Sequence, residues 1–137
     1  MTDHDINDLL QHEIFFQGCF MRNEKLPEFG SFVLNLDGVR GEGTHWVLVE
    51  LNKRVYYDPF GLHWPRELNK YEFQSFNSTQ HQKPVSNLCG LYCIFALILL
   101  NRGHSFYDIC YNVFKHHSYN KNATTLQRLL HEMQAKH

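Results

Sequence analysis

The sequence predicts a single α+β domain, residues 1–137, in which strands are flanked by helices. Three observations predict it. Apolar residues recur at helical spacing near both ends of the chain. The middle is made of short runs rich in β-branched and aromatic residues, separated by turn signals. No internal repeat, linker or low-complexity tract divides the 137 residues. A chain of this length buries about two-thirds of its unfolded surface, enough for a true core. Its 43% hydrophobic and 15% aromatic content is that of a folded globular protein.

Taken in order, residues 3–12 carry Ile6, Leu9 and Leu10 at helical spacing, with Thr2 or Asp3 as the N-cap. Residues 31–36 (SFVLNL), 45–51 (HWVLVEL) and 54–58 (RVYYD) read as strands punctuated by Asp37-Gly38, Gly41-Glu42-Gly43 and Asn52-Lys53. The two-residue link between the last two predicts a hairpin, hence antiparallel pairing. Residues 70–76 (KYEFQSF) are the candidate for a fourth strand. A polar loop over 77–88 leads into an apolar helix that starts at Cys89 and ends at Gly103, a C′ glycine. Ser105 then caps a helix with Phe106, Ile109, Cys110, Val113 and Phe114 on one face. Thr124 caps another, with Leu126, Leu129, Leu130 and Met133 inward.

A formal net charge of −1 gives no electrostatic footprint for nucleic acid or an anionic membrane, so such binding would need a local patch. The longest apolar run, residues 91–100, falls far short of the ~20 residues that cross a bilayer. It belongs in a core. The start, MTDHDINDLLQHE, lacks a basic and then apolar leader, which predicts a reducing compartment and free thiols at Cys19, Cys89, Cys93 and Cys110. The sequons at Asn77 and Asn122 then read as chance matches. His116 and His117 show no zinc-type spacing with cysteine or acid, and no structural metal or other cofactor is expected.

One cysteine is placed for chemistry. A thiol in the first turn of a helix sits beside unpaired backbone N–H groups at the positive end of the macrodipole, which favours thiolate. Cys89 occupies that position, and Gly90 next to it leaves room for a substrate backbone. The plain alternative is that Cys89 is a small core residue. His45 opens a strand, where sheet bonds hold it yet leave it facing a cleft, as suits a general base; the alternative is a surface histidine. Asp58 closes the neighbouring strand of the hairpin, so both fall at the same end of the sheet. A carboxylate there can orient the imidazole, although Asp-Pro followed by glycine is also ordinary turn chemistry. Gln82 lies in the loop before Cys89, where its amide would be a second oxyanion donor; alone it says nothing. Trp64 lines a groove or packs on the sheet edge.

The order GTHWV, YYDPFG, a glutamine, then CGLYC heading a long apolar helix resembles the adenovirus protease (adenain) family, with relatives in large DNA viruses, virophages and Maverick-type mobile elements. Its wider clan holds the SUMO and ubiquitin-like deconjugating proteases. The similarity spans residues 9–102 and includes FFQGCFMRNEKLPEFGSFVLNLDG. It implies a central mixed or antiparallel sheet of about 4–5 strands with a papain-like core in His-Asp-Cys order. It further implies His45 as base, Asp58 as acid, Cys89 as nucleophile and Gln82 as oxyanion donor, with Trp46, Gly43 and Gly90 at the substrate. The reaction implied is peptide hydrolysis through a thioester at sites containing glycine. Substrates would be capsid or core precursors, in the infected cell's cytoplasm or nucleus and in the packaged virion. A deconjugating protease, or a non-catalytic interaction module on the same fold, are the alternatives. The family's adenovirus member has glutamate where Asp58 stands. No cysteine lies between Cys19 and Cys89, so no disulfide-linked peptide activator is expected. Stimulation by DNA finds little basic surface, and the shorter carboxyl-terminal region suggests a minimal version of the fold.

Overall fold

A computed structural model describes residues 2–36, 45–83 and 87–135. Gly43, with the rest of the Gly-Glu-Gly turn and Asp37-Gly38, lies outside them. The fold is α+β, built on one five-stranded sheet in the order β1-β2-β3-β4-β5. The strands are β1 (Phe16–Met21), β2 (Ser31–Asn35), β3 (Trp46–Glu50), β4 (Val55–Tyr57) and β5 (Ser75–Phe76). The two outer pairs, β1 with β2 and β4 with β5, are parallel; β2, β3 and β4 are antiparallel neighbours.

Helix α1 (Asp3–Leu10) is set by a capping box in which the Thr2 hydroxyl and the Asp5 carboxylate each serve the other's backbone N–H. Ile6 and Leu10, four apart, are fully buried. Helix α2 (Cys89–Asn101) is apolar on every side, and all its residues except Asn101 are buried. Such a helix must be covered all round, and it lies against β3 and β2 with α1 and α4 on its other flanks. Each fully buried leucine or isoleucine on it stabilises the fold by ~1.5–3 kcal/mol. Gly103, at φ +96°, ends α2 in a Schellman motif, with its N–H on Leu100 O and that of His104 on Leu99 O. Alternation in the strands divides the core. Val33, Leu48, Val55 and Tyr57 face the helices, while Phe32, Leu34, Val47, Val49 and Tyr56 face Leu26, Leu68 and Tyr71.

The structure departs from the sequence expectations in four places. Strand β1 was not anticipated, because FQGCFM is only half-buried and its register slips between Phe16 and Cys19, so no alternation marks it. Of residues 70–76 only Ser75 and Phe76 form a strand. Residues Arg66–Tyr71 make a 3-10 turn that buries Leu68 and Tyr71, three apart, after Pro65. The β3–β4 connection takes four residues, 51–54, since Glu50 pairs with Val55. The Glu50 carboxylate caps the N–H groups of Asn52 and Lys53 there. Thr124 caps nothing: α4 (Tyr119–Ala135) already begins at Tyr119, and the Thr124 hydroxyl bonds back to Asn120 O at 3.0 Å inside the helix. Leu126, Leu129, Leu130 and Met133 do face the core.

Ser105 caps α3 (Phe106–Asp108), which runs straight into a π-helical turn, Ile109–Val113. Trp64 packs on the sheet edge against Tyr56, Phe73 and Phe76, with its indole N–H on Asn69. All four cysteines are free thiols. Among the described residues no helix is long and apolar enough to cross a membrane, and no cluster of three His, Cys, Asp or Glu side chains is arranged to hold a metal ion.

Candidate active site

Three elements converge where β3 begins, β4 ends and α2 starts. His45 immediately precedes β3. Asp58 follows the last residue of β4, and the antiparallel hairpin carries both to the same end of the sheet. Nε2 of His45 lies 3.1 Å from Oδ1 of Asp58. At that distance the two side chains form a close ion pair whenever the imidazole carries its proton. Cys89 is the first residue of α2, whose N-cap, Leu88, offers no side-chain acceptor to the helix N–H groups. Its sulfur lies 3.4 Å from the backbone N of Trp46, the residue after His45.

Electrostatics tie the three side chains together. Burial alone disfavours a charged His45, but the carboxylate of Asp58 and then the sulfur of Cys89 outweigh it, raising the imidazole to about 9. Asp58 is 1% exposed, so its charge acts through little water. With Asp58 on Nε2, Nδ1 is the ring nitrogen left for the thiol, the division of labour a general base requires. Phe60 lies against this pair twice over. Its ring stacks on the imidazole at 4.5 Å between centroids, and its N–H donates to Asp58 Oδ1 at 2.8 Å. By contrast, burial pushes Cys19 and Cys110 up to about 12 and Cys93 well above an ordinary thiol. Those three are poor nucleophiles.

Comparison with protein-family models finds no match, and comparison with curated protein sequences finds none either.

Gln82 is 1% exposed and reaches the head of α2, where it lines a small cavity of about 160 Å³ with Lys83, Leu88 and Tyr92. The residue before it anchors that loop. Neutral His81, held down to about 4 by burial, accepts from the Tyr57 hydroxyl at Nδ1 (2.8 Å) and donates from Nε2 to Cys110 O (2.9 Å). Its own carbonyl accepts from the hydroxyl of Tyr92, three residues beyond Cys89. A π turn, in which Phe114 N–H bonds back to Ile109 O, presents the Cys110 carbonyl to this histidine. Trp46, assigned to substrate binding from the sequence, is 4% exposed with its indole in the core; it meets the site through its backbone N–H, which donates to Cys89 Sγ, while its carbonyl accepts from the core thiol of Cys93. Gly90 is buried in the first turn of α2.

Sequence reasoning missed Phe60, Asn77 and His81. Phe60 stood inside the YYDPFG motif and was visible there. His81 and Asn77 carried no signal of these roles, since Tyr57, Cys110 and Asp58, which they bond, lie distant in the chain.

Proposed function

We propose that this chain is a cysteine peptidase that hydrolyses peptide bonds through a thioester on Cys89. The observation that carries the reading is the arrangement around one imidazole: an acid 3.1 Å from Nε2 and, also interacting with the ring, a thiol at the start of an apolar helix. The steps follow from it. The Cys89 thiolate attacks the scissile carbonyl carbon, and charge develops on the carbonyl oxygen near the first N–H groups of α2 and the amide of Gln82. Imidazolium at His45 gives its proton to the leaving amine. Neutral His45 then takes a proton from water as it attacks the thioester; the acid is released, the Cys89 sulfur leaves as thiolate, and the thiolate–imidazolium pair is restored. Asp58 holds the ring in one orientation throughout. The resemblance to the adenain family supports glycine-containing capsid or core precursors as substrates, and a role in particle maturation inside the infected cell.

An electrophilic probe tests the reading. A peptide vinyl sulfone is expected to label Cys89, spare Cys93 and Cys110, and lose that labelling in His45→Ala, as read by peptide mass mapping. Equal modification of every thiol, or none at Cys89 in folded protein, rules out a catalytic thiol. Fluorogenic ubiquitin and SUMO substrates run beside capsid precursors separate maturation from deconjugation, because rapid cleavage of the former with inert precursors reassigns the substrate.

A further inference from the structure

Asn77 stands where the pairing of β4 with β5 runs out. Ser75 and Phe76 are register partners of Val55 and Tyr56. The next residue, Asn77, turns its side chain rather than its backbone toward the end of β4. Oδ1 accepts from the Asp58 N–H at 3.0 Å, and Nδ2 donates to the Asp58 carbonyl at 2.6 Å and to that of Thr79 at 3.0 Å. The amide reproduces the donor and acceptor of a strand neighbour and grips Asp58 on both. It is 5% exposed, and its oxygen and N–H groups are all engaged, so no other side chain of its size can replace it without leaving buried groups unpaired.

The residue it grips is the acid facing His45. Among the described residues, further anchors of that turn from outside act one residue on, where the N–H groups of His81 and Gln82 reach Pro59 O at 2.8 and 3.3 Å. We propose that Asn77 is a positioning residue: by clamping the Asp58 backbone beyond the last β4–β5 pair, it fixes the carboxylate beneath the imidazole. The inference deepens the peptidase reading and rests on it for its catalytic meaning. Among the described residues, the charged or titratable groups facing His45 are Asp58 from the turn after β4 and Cys89 from α2, with the uncharged Phe60 ring stacked on it. Loosening Asp58 weakens the larger of the two described interactions that oppose burial, so the imidazole should lose its proton at lower pH.

The test is an NMR titration of the His45 ring in the full chain for wild type, Asn77→Ala, Asp58→Asn and Asn122→Ala. Initial rates on a fluorogenic peptide with glycine before the scissile bond are measured alongside. Asn122 is the control. It is an equally buried clamp bonded to His81 O, Lys115 O and Lys115 N–H, with no bond to Asp58. In Asn77→Ala the His45 midpoint should fall by about one pH unit or more toward that of Asp58→Asn, while Asn122→Ala loses melting temperature without moving it. In the same variant kcat should drop ~10-fold with KM little changed, since the interaction matters most in the transition state. An unmoved His45 midpoint in folded Asn77→Ala, or an equal fall in Asn122→Ala, overturns the proposal. If Asn77→Ala does not fold, Asn77→Ser, which keeps a single hydroxyl in the same space, is titrated against the same two outcomes. Should the midpoints move as expected while wild type cleaves no peptide and ignores the electrophile, the clamp stands and the peptidase reading falls.

Discussion

A histidine as covered as His45 would shed its proton early if burial acted alone; instead Asp58 and Cys89 hold it charged to about 9. On the proposed peptidase reading the leaving amine needs that proton, so kcat/KM should stay high through neutral pH and decline along an alkaline limb centred near 9. Asp58→Asn keeps an oxygen for the Phe60 N–H but removes the charge. Its alkaline limb should slide toward neutrality and its rate at neutral pH should fall ~100-fold or more, with folding nearly intact by circular dichroism. A limb that stays in place would mean that another group charges His45. Residues such as these were readable from motif order, because His45, Asp58 and Cys89 each sit at an element boundary that the sequence marks. Asn77 and Asn122 were not. Each begins an Asn-x-Thr pattern that suggests modification, yet both are buried amides standing in for backbone partners, a task defined only by which loops folding brings alongside.

The turn from Asp58 to Gly61 works as one small element, closed by the bonds from Phe60 N–H and Gly61 N–H back to Asp58 and pressed against residues 78–81. Gly61 has φ +76°, and a Cβ there would stand 2.6 Å from Thr79 O and 2.9 Å from Ser78 O. Both obstacles are backbone, so Gly61→Ala must displace the turn or the loop that carries His81 and Gln82. It is expected to cost ~2 kcal/mol or more in urea unfolding and to depress kcat. Gly103→Ala, at φ +96° with nothing within 4 Å, should cost only ~1 kcal/mol and leave rates alone. Equal rates in the two variants would separate the turn from the chemistry. Elements were legible where one face is wholly apolar, as in β2, β3 and α2, and illegible where pairing is partial or a bond is local. Strand β1 is half-buried with slipped register, Arg66–Tyr71 buries residues three apart within a stretch that mimics alternation, and the Thr124 hydroxyl is satisfied from within its own helix.

Across the whole molecule, one buried and one partly buried histidine pull stability in opposite directions with pH. His81 is held neutral, with its folded-state value lowered from 6.5 to about 4, so its contribution is complete above 6.5 and is lost as pH falls toward 4. His45 is held charged, raised from 6.5 to about 9, so its contribution is complete below 6.5 and is lost as pH rises toward 9. Each amounts to on the order of 3 kcal/mol at most. The melting temperature should therefore peak near neutral pH and decline on both sides, with the two limbs belonging to different residues. His81→Gln, whose amide keeps a donor and an acceptor between Tyr57 and Cys110 but does not titrate, should flatten the acid limb and spare the alkaline one. His45→Ala should do the reverse. Calorimetric scans of the three proteins across this pH range decide it: an acid limb of unchanged depth in His81→Gln would mean that carboxylates, and not the histidine joining β4 to the π turn, set the acid stability of the fold.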